Sequence, residues 1–334
     1  MNYRLLAAMG ALLWILSPPV SAQVSGAASK HATVPHTPDG HPSLEGVWTN
    51  VTLTPLERPD AFAGKLSVSD AEAAAYEKSE ADDLKSEDGK STGKLIDSAG
   101  SAGTGGYNVL FIDRGSELAR VDGRKRTSLI IDPPDGKVPA LTEQAKQMPG
   151  MNFERYDSIK DRPLSERCIL GFGSISGPPM LPVLYNNNYQ IVESPGYILI
   201  MIEMIHDVRV IPMDGRPHLP ANVRLWMGDP RGHWEGDTLV VDSTNFTTKT
   251  HFRGADENLH LIEKFKQTDA ETILYQFTVD DPTAFSKPWT AEIPLHRSAG
   301  PMYEFACHEG NVALPNMLRI ARQAEQSQAP RSSK

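Results

Sequence analysis

The sequence predicts a mainly β protein, an antiparallel barrel with short helices around it. Two observations carry that prediction. From Asn222 onward, strand-like runs at 223–227, 238–242, 259–267, 272–280 and 289–296 follow one another, and most breaks between them hold Gly, Pro, Asp or Asn. Within 272–280, Ile273, Tyr275, Phe277 and Val279 share one face, and Thr272, Gln276, Thr278 and Asp280 share the other, with Leu274 the exception. That alternation gives one buried and one wet face, as in antiparallel sheets. Strands at this spacing, with few helices, favour a barrel or sandwich over a βαβ arrangement.

The chain opens with a basic Arg4, an apolar run over 5–16 and a Val20-Ser21-Ala22 cleavage pattern, so 1–22 reads as a secretory signal peptide. The apolar run is too short to span a bilayer, and no later stretch approaches that length. The expectation is a secreted, periplasmic protein without an integral membrane segment. Residues 23–43 form an irregular lead whose His31, His36 and His41 lack metal-ligand spacing. A single β-rich domain is expected over 44–325, with a disordered tail at 326–334.

Inside that domain the first strand is 44–50, containing Gly46-Val47-Trp48. Residues 67–85 form a helix capped by Ser69, with Asp70 and Glu72 in its first turn. The charged, then Gly/Ser-rich stretch 86–106 reads as a mobile loop or lid. Strands follow at 107–113 and 127–132, the second ended by the Asp132-Pro133-Pro134-Asp135-Gly136 turn, then a short helix at 141–148. A last strand is expected at 303–309 and a terminal helix at 315–325.

The formal charge of −9 and the lack of a concentrated basic patch argue against nucleic acid or an anionic membrane surface as partner. The one basic run, Arg124-Lys125-Arg126, reads as a solvated turn. No GxGxxG or P-loop occurs, and in Gly173-Ser174-Ile175-Ser176-Gly177 the middle residue is Ile, so nucleotide binding and a Gly-x-Ser-x-Gly hydrolase are rejected. No cofactor is expected. Cys168 and Cys307 can form a disulfide in an oxidising compartment; two buried thiols or a catalytic thiol are the alternatives.

The candidate site centres on 197–211, which reads as one long strand. Its even positions are apolar apart from His206, and its odd positions turn polar at Glu203, Asp207 and Arg209. An imidazole on an apolar wall is kept neutral and can act as a general base. A bridge between Cys168 and Cys307 would bring Arg167, His308 and Glu309 together. The expected catalytic set is therefore His206, His308, Glu203 and Arg167, with Asp207, Arg209, Trp226 and Tyr189 binding substrate. Glu203 and Asp207 lie ~13 Å apart along one strand, too far for a glycosidase pair. His206, His218 and His308 are metal-ligand types, but no HExxH or CxxC spacing accompanies them.

Several segments together resemble a family of exported bacterial proteins of unassigned function: LEGVWTNVTLTPLERP, TSLIIDPPDGKVPALT, DRPLSERCI, HDVRVIPMDGRPH, GHWEGDTLVVDSTNF and YEFACHEGN. The Gly-x-Trp of the first strand also resembles the opening strand of lipocalin-type barrels, where the Trp closes one end. These resemblances imply a secreted, lipocalin-like or calycin-like β protein, and no catalytic residues carry over from them. Two functions are expected. One is a cofactor-independent lyase, isomerase or hydrolase acting on an apolar small molecule with His206 as base. The other is a periplasmic carrier that binds such a hydrophobic molecule without chemistry.

Overall fold

The computed structural model describes residues 34–87, 112–147, 157–171 and 177–328. The expected signal peptide, most of the loop 86–106, most of the strand 107–113 and the end of the tail lie outside them. The mainly antiparallel β architecture is as the sequence predicts. The strands are β1 (Gly46–Thr49), β2 (Ser67–Val68), β3 (Arg120–Val121), β4 (Arg124–Arg126), β5 (Ile130–Asp132), β6 (Asn188–Ser194), β7 (Tyr197–Ile202), β8 (Val208–Pro212), β9 (Asp229–Glu235), β10 (Thr238–Thr244), β11 (His260–Asp269), β12 (Thr272–Asp280) and β13 (Trp289–Arg297). Helices are α1 (Asp70–Glu87), α2 (Glu143–Lys146) and α3 (Ala313–Gln328).

Nine strands run in the order β8-β7-β6-β1-β13-β12-β11-β10-β9, and every neighbouring pair is antiparallel. β5 pairs with β13 off this path, and β2-β4-β3 form a separate small sheet. The nine strands curl into a nearly closed barrel. Its seam lies between β8 and β9, which are joined by no ladder among the described residues. Side chains fill the seam instead: a Cβ on Gly232 of β9 would collide with Met213 Sδ and lie 2.8 Å from Ile211 Cγ2.

The expected alternation holds around the barrel. On β12, Ile273, Tyr275, Phe277 and Val279 are fully buried, and on β13 so are Trp289, Ala291, Ile293 and Leu295. Trp48 on β1 is fully buried; its indole Nε1 donates to Leu44 O (2.8 Å), and the Arg297 guanidinium lies over its ring, 4.4 Å from the centroid. Gly46, at φ +142°, leaves room for that guanidinium; a Cβ there would meet Arg297 Nη1. Trp48→Ala is expected to cost about 3 kcal/mol by cavity formation, and Arg297→Ala about 1 kcal/mol. Denaturant midpoints check this, and a loss well under 1 kcal/mol for Trp48→Ala would show that the indole is not a core element.

One local expectation holds and several change. The helix α1 has its cap: Glu72 N–H donates to Ser69 Oγ while the Glu72 carboxylate accepts from Ser69 N–H (3.0 Å), a reciprocal box. Arg124–Arg126 is a strand, not a solvated turn, with Lys125 buried between Glu77 (3.1 Å) and Glu117 (2.6 Å). Residues 223–227 form no strand and hold only an isolated bridge, Leu225 to Phe246. Residues 303–309 are irregular rather than a strand. His41, in the irregular lead, stacks its ring on Trp234 at 4.5 Å.

Candidate functional site

The expected long strand 197–211 is a hairpin. β7 and β8 pair antiparallel, with Ile200 opposite Arg209 and Ile198 opposite Ile211. The chain reverses over 203–207, where Ile205 (φ 68°) and His206 (φ 52°) adopt the left-handed conformation. No Gly, Pro or Asn marks this turn, and a β-branched residue at positive φ is unusual. The alternation therefore does not carry through His206, and the ring is exposed instead of set in the apolar wall. Its Nδ1 lies 2.8 Å from Phe305 O. A carbonyl can only accept, so Nδ1 carries a proton, and in the neutral tautomer of this ring Nε2 is the acceptor.

Glu203, at the start of the same turn, is buried. Its carboxylate accepts from Asn188 Nδ2 (2.7 Å), Asn188 N–H (3.1 Å) and Tyr303 N–H (3.3 Å). The disulfide Cys168–Cys307 is formed, with its Cα atoms 5.8 Å apart. It ties the terminal segment to Arg167, which is partly buried, and leaves His308 exposed. The four expected catalytic residues thus gather around one segment, 303–308. Glu203 and His206, however, hold its backbone rather than face a common interior.

The interior polar groups are different ones. Arg209 points inward from β8 to Glu263 on β11; both side chains are essentially fully buried. Arg209 Nη1 donates to Glu263 Oε1 (3.0 Å) and Nη2 to Oε2. The Tyr275 hydroxyl donates to Glu263 Oε1 (2.7 Å) and accepts from Met180 N–H (3.1 Å). Asn50, just past β1, donates to Met180 O (3.0 Å) and to the Tyr189 hydroxyl (3.3 Å). Burial, then the Glu263 charge, pushes the Tyr275 phenol well above its ordinary range; burial does the same to Tyr189. Burial works against the Arg209 charge, and Glu263 more than offsets it, so its pKa is raised. Two atoms here have no hydrogen-bond partner: Arg209 Nε and Asn50 Oδ1.

Of the expected substrate-binding residues, the barrel interior holds Arg209 and Tyr189. It does not hold Asp207, whose Oδ1 accepts from Val208 N–H (2.8 Å), nor Trp226, which is partly buried in the β8–β9 connection with its carbonyl on Thr250 Oγ1 (2.8 Å). The sequence pattern places Tyr275 on a buried face but not in a site, and it does not single out Glu263 or Asn50. The inward parity of Glu263, between Leu261 and Phe265, is the signal that could have found it.

A second group of titratable side chains lies on the outer face. His218 Nδ1 is 3.2 Å from Asp229 Oδ2, and its Nε2 is 3.2 Å from Asp242 Oδ1. His260 Nε2 is 3.0 Å from the same Asp242 oxygen. Asp229 is buried and also accepts from Leu219 N–H (2.8 Å) and Arg231 Nη1 (2.6 Å). The hydrogen bond from His260, then its charge, lowers the Asp242 pKa, and the same hydrogen bond raises that of His260. No group of three or more His, Cys, Asp or Glu side chains suited to a metal ion occurs among the described residues. No family model, curated protein or solved structure matches the chain.

Proposed function

We propose that the protein is an exported carrier whose barrel holds a small, largely apolar molecule bearing one polar group, without chemistry. The observation that carries this reading is that the interior polar network of Arg209, Glu263, Tyr275 and Asn50 leaves both a donor, Arg209 Nε, and an acceptor, Asn50 Oδ1, without a hydrogen-bond partner. Leaving a buried donor and acceptor unpaired costs about 1–3 kcal/mol each. A ligand hydroxyl or carboxylic acid, which both donates and accepts, would satisfy them, while the surrounding aromatic and aliphatic wall would take its apolar body. Export is supported by the signal-like opening of the chain and by the disulfide, which suits an oxidising compartment.

The test is a titration of the protein, followed by tryptophan fluorescence, with a panel of terpenoid and aromatic alcohols and acids. Arg209→Met/Glu263→Gln removes the charged donor without stranding a charge. It is expected to weaken binding of an alcohol or acid about tenfold or more, while the matching hydrocarbon is unaffected. Equal affinities of wild type and double variant for both ligand types would overturn the proposal.

A second reading, an enzyme with His206 as general base, is favoured by one observation: the Phe305 carbonyl fixes the tautomer and leaves Nε2 as an acceptor. Turnover of any panel compound that falls ~100-fold or more in His206→Ala, with binding retained, would establish that reading over the carrier.

A further inference from the structure

The connection between β8 and β9 is pinned to β9 and β10 through His218. That connection, 213–228, leaves the end of β8, crosses the outer face and enters β9. Arg231 Nε donates to Pro217 O (2.9 Å) and Asn245 Nδ2 to Leu219 O (2.9 Å), so the strap lies against β9 and the residue following β10. At its centre His218 places one ring nitrogen against Asp229 of β9 and the other against Asp242 of β10, both at 3.2 Å. A neutral imidazole has a single N–H. With two carboxylates to serve, a neutral ring must point a lone pair at one of them; only the doubly protonated ring donates to both.

We propose that His218 is a proton-operated latch: charged, it clamps the β8–β9 connection to the outer face of the barrel, and uncharged, it lets the connection and the seam beneath it open. The seam suits this role because no backbone ladder holds it among the described residues; Met213 and Ile211 merely rest on Gly232. The groups facing the latch are Asp229 and Arg231 from β9, Asp242 from β10 and His260 from β11, with Asp280 of β12 acting on His260. On the strap itself, Asp214 and Arg216 pair with each other.

The two neighbours set opposite limits on the pH window. His260, raised by Asp242, stabilises the folded arrangement below the ordinary histidine range and loses that contribution as pH rises through its raised value. Asp242, lowered by His260, contributes above the ordinary carboxylate range and loses it as pH falls through its lowered value. Between those limits the strap itself depends on His218, which donates to both Asp229 and Asp242 only when doubly protonated, so docking is tightest in mildly acidic solution and weakens toward alkaline pH. The latch does not depend on the carrier reading, since it concerns the opening of the wall and not what passes through it.

Amide hydrogen exchange on the full chain at about pH 5 and about pH 8, either side of the ordinary histidine range and corrected for intrinsic rates, tests it. In the wild type, 213–228 and the amides of β8 and β9 are expected to lose about tenfold or more protection at the higher pH, the worth of one charge-assisted hydrogen bond. His218→Lys, a permanent cation with three donors, should stay protected at both pH values, and His218→Gln should be open at both. His260→Gln should keep the wild-type pH dependence in the strap. If a variant does not fold, nitrogen NMR of the wild-type His218 ring decides: two protonated nitrogens at the lower pH and one at the higher support the latch. A pH-independent strap, a change spread evenly over β10–β13, a pH response that survives in His218→Lys, or a ring with one N–H throughout would overturn it.

Discussion

Arg209→Met alone should destabilise the protein by about 3–5 kcal/mol, because it leaves the Glu263 carboxylate buried without its counter-charge. Adding Glu263→Gln should restore most of that loss, since the side-chain amide would still offer the Tyr275 hydroxyl a carbonyl acceptor and carry no charge. The barrel interior is where this contrast is sharpest: Arg209 and Glu263 side chains are 1% and 0% exposed, so water cannot screen either one. Urea unfolding of the two single variants and the double variant measures the coupling directly. A single variant within about 1 kcal/mol of wild type would mean that the pair is solvated and not an interior element.

Removing the disulfide with Cys168→Ser/Cys307→Ser is the second large effect expected. Closure of a loop spanning 139 residues is worth about 5 kcal/mol on the chain-entropy account, an upper bound because the C-terminal segment can detach while the barrel stays folded. Loss should therefore appear in two stages. The segment 301–312 becomes a protease site first, stripping Glu203 of its Tyr303 donor and His206 of its Phe305 acceptor. Global unfolding follows at lower denaturant. Cutting only elsewhere, with the global transition unmoved, would show that the segment is held by its own packing.

The parts of this fold that are legible in the sequence are those where a strand is long and one-sided. β12 matches its expected span because Ile273, Tyr275, Phe277 and Val279 alternate without interruption and a turn bounds each end. The hairpin β7–β8 is illegible because its two left-handed positions are Ile205 and His206, preceded by Met204, none of which gives a turn signal, and Asp207 alone does not break the pattern. The irregular segment 303–309 resembles a strand in pattern, yet its Tyr303 amide and Phe305 carbonyl bond to the side chains of Glu203 and His206, which pattern cannot reveal. The site suffers most from the hidden turn. Arg209 and Tyr189, expected to bind substrate, are both buried. For Arg209 this reverses the parity read along 197–211, since Val208 and Val210 are exposed, and the alternation that would set His206 on the wall stops before reaching it. The outer-face array leaves no sequence signature because Asp229, Asp242 and His260 come from three strands and meet only through register, with His218 supplied by an irregular connection.

The five residues between β7 and β8 impose a counting rule on this part of the chain. Ile202 and Arg209 both face inward across that turn, and strand parity allows no compromise: taking out or adding one residue rotates every side chain of β8 to the opposite surface. A guanidinium would then be expelled to solvent, Val208 and Val210 would be driven inside, and Glu263 would be stranded. Length at 203–207 is consequently more constrained than composition, and variation among natural versions of this chain should substitute residues there without ever changing their number.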